Sequence, residues 1–175
     1  MKSSDLDVLI VGAGAAGMMC AIEAGKRGRR VRVIDHARAP GEKIRISGGG
    51  RCNFTNLGTS GANFLSENPR FALSALKRFT QHDFLKMVER HGIAWHEKTL
   101  GQLFCDDSAK QIIRMLTDEM RAAGVTLSLG LGVTSIARSG DRFEVALDDG
   151  TRVSAASLVV ATGGKSIPKM GATGW

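Results

Sequence analysis

Gly12, Gly14 and Gly17 follow an apolar run, within V-L-I-V-G-A-G-A-A-G (Val8–Gly17), and precede a segment patterned as a helix. Glycines at this spacing can hold a pyrophosphate. The first makes a tight turn, the second lets backbone approach the phosphates, and the third lets the helix pack closely on the strand. Free N–H groups and the positive dipole end at the helix start then face the anion. A second apolar strand, Val31–Ile34, ends at Asp35, 23 residues beyond Gly12, close to where a carboxylate meets ribose hydroxyls. The chemistry implied is recognition of a dinucleotide. A glycine-rich strand-to-helix turn in another α/β fold is the bland alternative.

A second stretch, I-S-G-G-G-R-C-N-F-T-N (Ile46–Asn56), is too specific in make-up for a linker. Gly48, Gly49 and Gly50 permit positive φ, so successive N–H groups can point at an anion; a flexible hinge is the alternative. Arg51 can add fixed positive charge beside a phosphate, or be a surface arginine. Cys52 invites a redox reading, yet no second cysteine lies near it in sequence, and a small packed residue is the preferred role. His36, beside Asp35, reads as a nucleotide-loop residue rather than a general base. His82, His91 and His96 share no ligand spacing with cysteines or carboxylates, so no metal is assigned. No acid, base or nucleophile constellation stands out, and the catalytic residues are left open.

The elements that must position these residues follow from the apolar periodicity. Ala15–Lys26 reads as a helix stopped by Gly28, and Ala37 to about Asn68 as a long irregular piece. Pro69 opens a helix with Phe71, Leu73, Leu76 and Phe79 as its apolar face, and a second helix ends near Gly92. Ile93–Glu97 and Gln102–Cys105 are short strands. Asp107 or Ser108 caps a helix carrying Ile112, Leu116 and Met120. Val125–Leu129 is a third parallel strand. A three-stranded meander follows (Val133–Ala137, Phe143–Leu147, Thr151–Val153), with Asp149-Gly150 as a hairpin signal. A separate strand, Ser157–Ala161, ends in A-T-G-G. The expected fold is α/β, a Rossmann-like three-layer domain with a parallel sheet and an antiparallel β-meander.

Composition narrows the class. The 175 residues, 43% hydrophobic and 23% charged, suit one globular soluble domain. Three widely spaced cysteines without C-x-x-C suit a reducing cytoplasm. Asp5 and Asp7 argue against a signal peptide, and no run is long enough to span a membrane. Residues 26–51 hold nine lysines and arginines against Asp35 and Glu42, which accounts for the whole net charge of +7. An anionic ligand is the natural partner. Nucleic acid is the rival, disfavoured because no aromatic residue interleaves with these cations.

Taken together, G-A-G-A-A-G with Asp35, G-E-K-I-R-I-S-G-G-G-R-C-N-F-T-N (Gly41–Asn56) and L-V-V-A-T-G-G-K-S-I-P-K-M-G-A-T-G (Leu158–Gly174) resemble the BaiN/YhiN-like family of NAD(P)/FAD-dependent oxidoreductases, some known as aminoacetone-oxidase-type flavoproteins. The resemblance covers essentially the whole chain. It implies FAD, cradled by Gly12, Gly14, Ala15, Ala16 and Gly17, with Asp35 on the adenosine ribose where Glu is more usual. Lys43 and the loop Ser47, Gly48, Gly49, Gly50, Arg51, Cys52 and Asn53 would lie along the phosphates and flavin. Backbone at Val133 would meet the adenine edge, and Ala161, Thr162 and Gly163 would pass close to the cofactor. The implied function is an FAD-binding domain, residues 1–175, of an oxidoreductase in which FAD passes electrons from NADH or NADPH to a small organic substrate or oxygen. The family's substrate domain and C-terminal return segment are expected beyond this stretch. No nucleic-acid or membrane partner is expected. A dinucleotide-binding module without catalysis is the alternative, and an NAD-dependent dehydrogenase gives no reason for the S-G-G-G-R-C-N loop.

Overall fold

The structure, a computed structural model, describes residues 6–164. The chain divides into two compact units, one formed by residues up to Lys43 with those from Leu116 onward, the other by Ile44–Met115.

The first unit is built on β1 (Leu6–Val11), whose L-D-V-L-I-V sequence suits a central parallel strand apolar on both faces. It pairs in parallel with β2 (Val31–Asp35), Val8 opposite Val31, and with β9 (Arg152–Val160), Val8 opposite Ser157. Between β1 and β2 runs α1 (Ala15–Lys26), which buries Gly17, Met18, Ala21 and Ile22 along one stripe and packs on both strands. β6 (Thr126–Leu129) extends the parallel part beside β2, as expected. β7 (Val133–Ser139) and β8 (Arg142–Leu147) continue antiparallel beyond β9, giving the order β6-β2-β1-β9-β8-β7. Leu9 and Ile34 share a core with Val145, Leu147, Val153 and Ala155.

In the second unit, β3 (Asn53–Asn56), β4 (Trp95–Glu97) and β5 (Gln102–Cys105) form an antiparallel sheet in the order β3-β5-β4. α2 (Glu42–Ile46) begins at the boundary between the units, and α3 (Leu73–Arg78) precedes α4 (Gln81–Arg90). A capping box starts α4, with Thr80 accepting the Asp83 N–H and Asp83 accepting that of Thr80. The unit boundary falls within α5 (Ala109–Ala122), where Ser108 accepts the Lys110 N–H, as the capping expectation required.

Three expectations need correction. The segment 37–68 is not irregular throughout, because it contains α2, a tight turn at Ser47–Gly50 and β3. Its polar and glycine-rich composition hides elements of four or five residues. The third helix starts at Leu73, not Pro69, and Phe71 lies outside it, 83% exposed. Thr151–Val153 and Ser157–Ala161 are not separate strands. β9 runs through Ser154-Ala155-Ala156, and Ala155 faces both Phe143 of β8 and Leu6 of β1. Small residues that read as a break are where the strand changes neighbours.

A Cβ on Gly17 would overlap the Gly12 carbonyl oxygen, which belongs to backbone and cannot swing aside. Gly17→Ala is therefore expected to lower unfolding stability by about 1–3 kcal/mol through overpacking. Gly14→Ala, where a Cβ meets nothing within 4 Å, should leave the denaturation midpoint nearly unchanged in the same urea titration.

Candidate cofactor site

The first unit gathers its candidate residues at the exits of β1, β2 and β9. Asp35, ending β2, accepts the Ala13 N–H at 2.6 Å on Oδ2 and the Ala37 N–H at 2.8 Å on Oδ1. One carboxylate thus ties the glycine turn to the strand beside it. Each oxygen retains a second lone-pair site for a hydroxyl donor. His36 is exposed and places Nδ1 3.5 Å from Asp35 Oδ1. A cleft of about 490 Å³ lies here, lined by Gly12, Asp35, His36, Val133 and Thr162 with Val11, Leu131 and Ile136. Its size falls in the range of small-molecule and cofactor sites. Leu131, Gly132 and Ile136 were not among the expected residues, and only the pairing of β7 and β8 indicates which side of that hairpin faces the cleft.

The start of α1 is open. Gly14 is its N-cap with no capping side chain, the first turn carries no acid, and Ala15 and Ala16 are exposed. First-turn N–H groups have no partner inside a helix, and here nothing anionic competes for them. The absence of a neighbour within 4 Å of a Cβ on Gly14 leaves room for a ligand at that point. Phosphate donors, an aimed carboxylate and an apolar-walled cleft together fit the adenosine diphosphate half of FAD. Lys43 donates to the Gly164 carbonyl at 2.8 Å, and Ala161 donates to Val11 at 2.8 Å, so Ala161, Thr162 and Gly163 leave the sheet beside the end of β1. The remainder of the Leu158–Gly174 stretch, from Lys165 to Gly174, lies outside the described residues.

The loop Ser47–Asn53 belongs to the second unit. Gly48, Gly49 and Gly50 have φ of 59°, 66° and 86°, a left-handed path that glycine adopts without strain. A Cβ on Gly48 would stand 2.6 Å from the Phe104 ring and 2.8 Å from the Asn53 nitrogen. Arg51 and Asn53 are exposed; Cys52 is buried, with its N–H on the Ser47 carbonyl. Its thiol is pushed up by burial, and that of Cys105 is pushed up to about 12, by burial first and then by Cys52 and Asp106. Both thiols are therefore neutral near pH 7, which suits packing rather than nucleophilic attack.

The second unit also holds an imidazole–carboxylate pair. His96 Nδ1 lies 2.6 Å from Asp106 Oδ1, and the His96 ring stacks on Phe104, centroids 6.2 Å apart. Lys98 Nζ sits 4.2 Å from the centroid of the same ring. Strand register sets Asn53 and His96 on either side of Phe104. Ten residues separate His96 from Asp106, so only the β4–β5 pairing brings them together. Among the described residues no group of histidines, cysteines and acids could hold a metal. None of the described helices is long and apolar enough to cross a membrane.

Comparison with known proteins agrees with the fold. The profile of the HI0933-like protein Rossmann domain matches residues 6–175. The chain belongs to this FAD-binding family. It is 56% identical to the ribosomal RNA dihydrouridine synthase of Escherichia coli (strain K12), covering 95% of this chain and 42% of that protein. It is 29% identical to the 3-dehydro-bile acid delta(4,6)-reductase of Clostridium scindens, covering 94% and 41%. The chain thus spans less than half the length of these relatives. Among solved structures, the halogenase PltM in complex with phloroglucinol and FAD aligns with a TM-score of 0.56 at 22% identity, over 95% of this chain and 36% of that one. This likeness extends to the fold.

The Cys105 thiol gives a pH prediction. Its folded-state value lies above the ordinary 9.0, so its stabilising contribution is complete below pH 9 and is lost as pH rises toward about 12. Urea midpoints measured from pH 8 to 11 should fall more steeply for the native chain than for Cys105→Ala. Parallel curves would rule this linkage out.

Proposed function

We propose that this chain forms the FAD-binding part of an enzyme that reduces uridine in ribosomal RNA to dihydrouridine, with NADH or NADPH as the electron source. The observation that carries this reading is 56% identity to a ribosomal RNA dihydrouridine synthase across 95% of the chain. The more distant relative is named as a reductase of a delta(4,6) system, again a carbon–carbon unsaturation. In this reading the acceptor is a base in RNA, where the residues alone suggested a small-molecule substrate and no nucleic acid.

The reaction balances as NAD(P)H, a proton and uridine giving NAD(P)⁺ and dihydrouridine. The uracil C5=C6 bond is conjugated with the C4 carbonyl, so hydride adds at C6 and the proton at C5. When bound, FAD supplies the relay of hydride from nicotinamide to base. The protein's task is to bind and orient. Gly12, Gly14 and Gly17 with the N–H groups of Ala15 and Ala16 would hold the pyrophosphate. Asp35 would take the ribose hydroxyls, with His36 beside it and Val133 backbone at the adenine. Lys43, Ala161, Thr162 and Gly163 would follow the phosphates, and the Ser47–Asn53 loop the flavin. Positive φ through Gly48–Gly50 supports a concave run of N–H donors in that loop.

The test is the visible spectrum of the purified chain after FAD addition and desalting. A flavin band should persist, and Gly14→Glu should weaken flavin binding at least about 100-fold by setting a carboxylate against the phosphates. Its denaturation midpoint should hold, because the site has space for a side chain. Incubation of the full-length protein with NADH or NADPH and unmodified ribosomal RNA should then add two hydrogens to a uridine, read by nucleoside mass spectrometry. A folded chain that never retains flavin would sink the cofactor assignment. Flavin bleached by nicotinamide with no uridine saturated would sink the substrate assignment.

A further inference from the structure

We infer that the stretch 64–79 of the second unit is a contact surface for single-stranded RNA, with Phe71 as its stacking platform and Arg70, Lys77 and Arg78 as its phosphate contacts. This rests on the reading of an RNA substrate and says where this chain grips it.

The stretch presents large apolar groups to solvent. Phe71 is 83% exposed, Leu65 94%, Phe64 43% and Phe79 37%. An aromatic ring this open on a structured segment is uncommon in a monomer and marks a binding surface when it is one of several. The backbone that carries the ring is tied down. Asn68 accepts the Arg70 N–H on its side chain and the Phe71 N–H on its carbonyl, and Arg70 accepts the Leu73 N–H. Leu73 turns the other way, onto Gly61.

Charge identifies the occupant. Arg70, Lys77 and Arg78 are exposed, none has an ion pair among the described residues, and Glu67 is the single acid between Phe64 and Phe79. On the turn leading into α3 and along that helix, Arg70, Ser74 and Lys77 follow helical spacing, and Phe71, Ala75 and Arg78 form the neighbouring stripe. Ser74 and Ala75, both short and exposed, are the residues between them on these two rows. Cations tracking a backbone beside aromatic rings are the recognition chemistry of single-stranded nucleic acid. A purely apolar protein partner would leave these three charges unmatched.

The basic cluster nearer the glycine turn is different. Lys26 pairs with Glu119, Arg27 with Glu23 and Arg30 with Asp7. Three of the nine cations of 26–51 are thus paired with acids of the protein. The aromatic interleaving missing there is present at 64–79.

Fluorescence anisotropy with a labelled oligouridine of about 12 nucleotides tests the surface on the flavin-loaded chain. Phe71→Ala should weaken binding about tenfold, and Phe71→Trp should restore it. Replacing Arg70, Lys77 and Arg78 together by Gln should lower the slope of log affinity against log salt by about 2. Lys26→Gln with Arg27→Gln should change affinity less than about twofold. Melting temperatures should stay at the native value, since these side chains are exposed. If the native chain binds RNA and the Phe71 and triple variants bind equally well, the surface is wrong while the RNA reading stands. A native chain without RNA affinity overturns both. Lower stability in Phe71→Ala at unchanged affinity would mean that protein covers this face, and would overturn the proposal as well.

Discussion

The first unit depends on a close stack of backbone. Gly17 of α1 sits against the Gly12 carbonyl, and Gly12 in turn against the Ala161 carbonyl at the exit of β9. The glycine turn, the first turn of α1 and the distant exit of β9 thereby meet with no side chain between them. This contact sets the approach of α1 to the sheet and aims the helix start at the space above β1. A methyl group at either glycine would push helix and strand apart, and the open N–H groups at the start of α1 would move with them.

Asp35 makes the second fixed point. Its carboxylate accepts N–H groups from the glycine turn and from the exit of β2, so it positions the turn before any ligand arrives. Glu, with one more methylene, would reach farther toward a ribose. The shorter Asp holds the protein's own backbone and still borders the cleft. Pre-formed donors and acceptors lower the ordering cost of binding a ligand.

The two basic regions show why net charge is a poor map of function. The excess at residues 26–51 dominates the sequence, yet several of its members are satisfied by Glu23, Glu119 and Asp7. The three cations of 64–79 are fewer but have no ion pair among the described residues, and they stand among exposed aromatic rings. Availability, rather than number, decides what a charged segment can hold.

Much of this protein was legible in its sequence. The glycine spacing, the strand ending at Asp35 and helix α1 followed from local steric rules, because the tight turn and the 12-residue first helix are each set by residues close in sequence. The parallel strand β6 and the meander followed from apolar runs and Asp149-Gly150. Tertiary structure alone decided the rest. It joined two apparent strands into β9, since a strand's identity lies in its neighbours and Ala155 has one on each side. It brought His96 to Asp106 across β4 and β5, a proximity set by register rather than by spacing. It left Phe71 exposed where periodicity placed it on an apolar face, because α3 begins two residues later and buries none of its own residues. Local sequence specifies what each short segment can do; which side chains meet, and which are left open to a partner, is settled by packing among segments far apart in the chain.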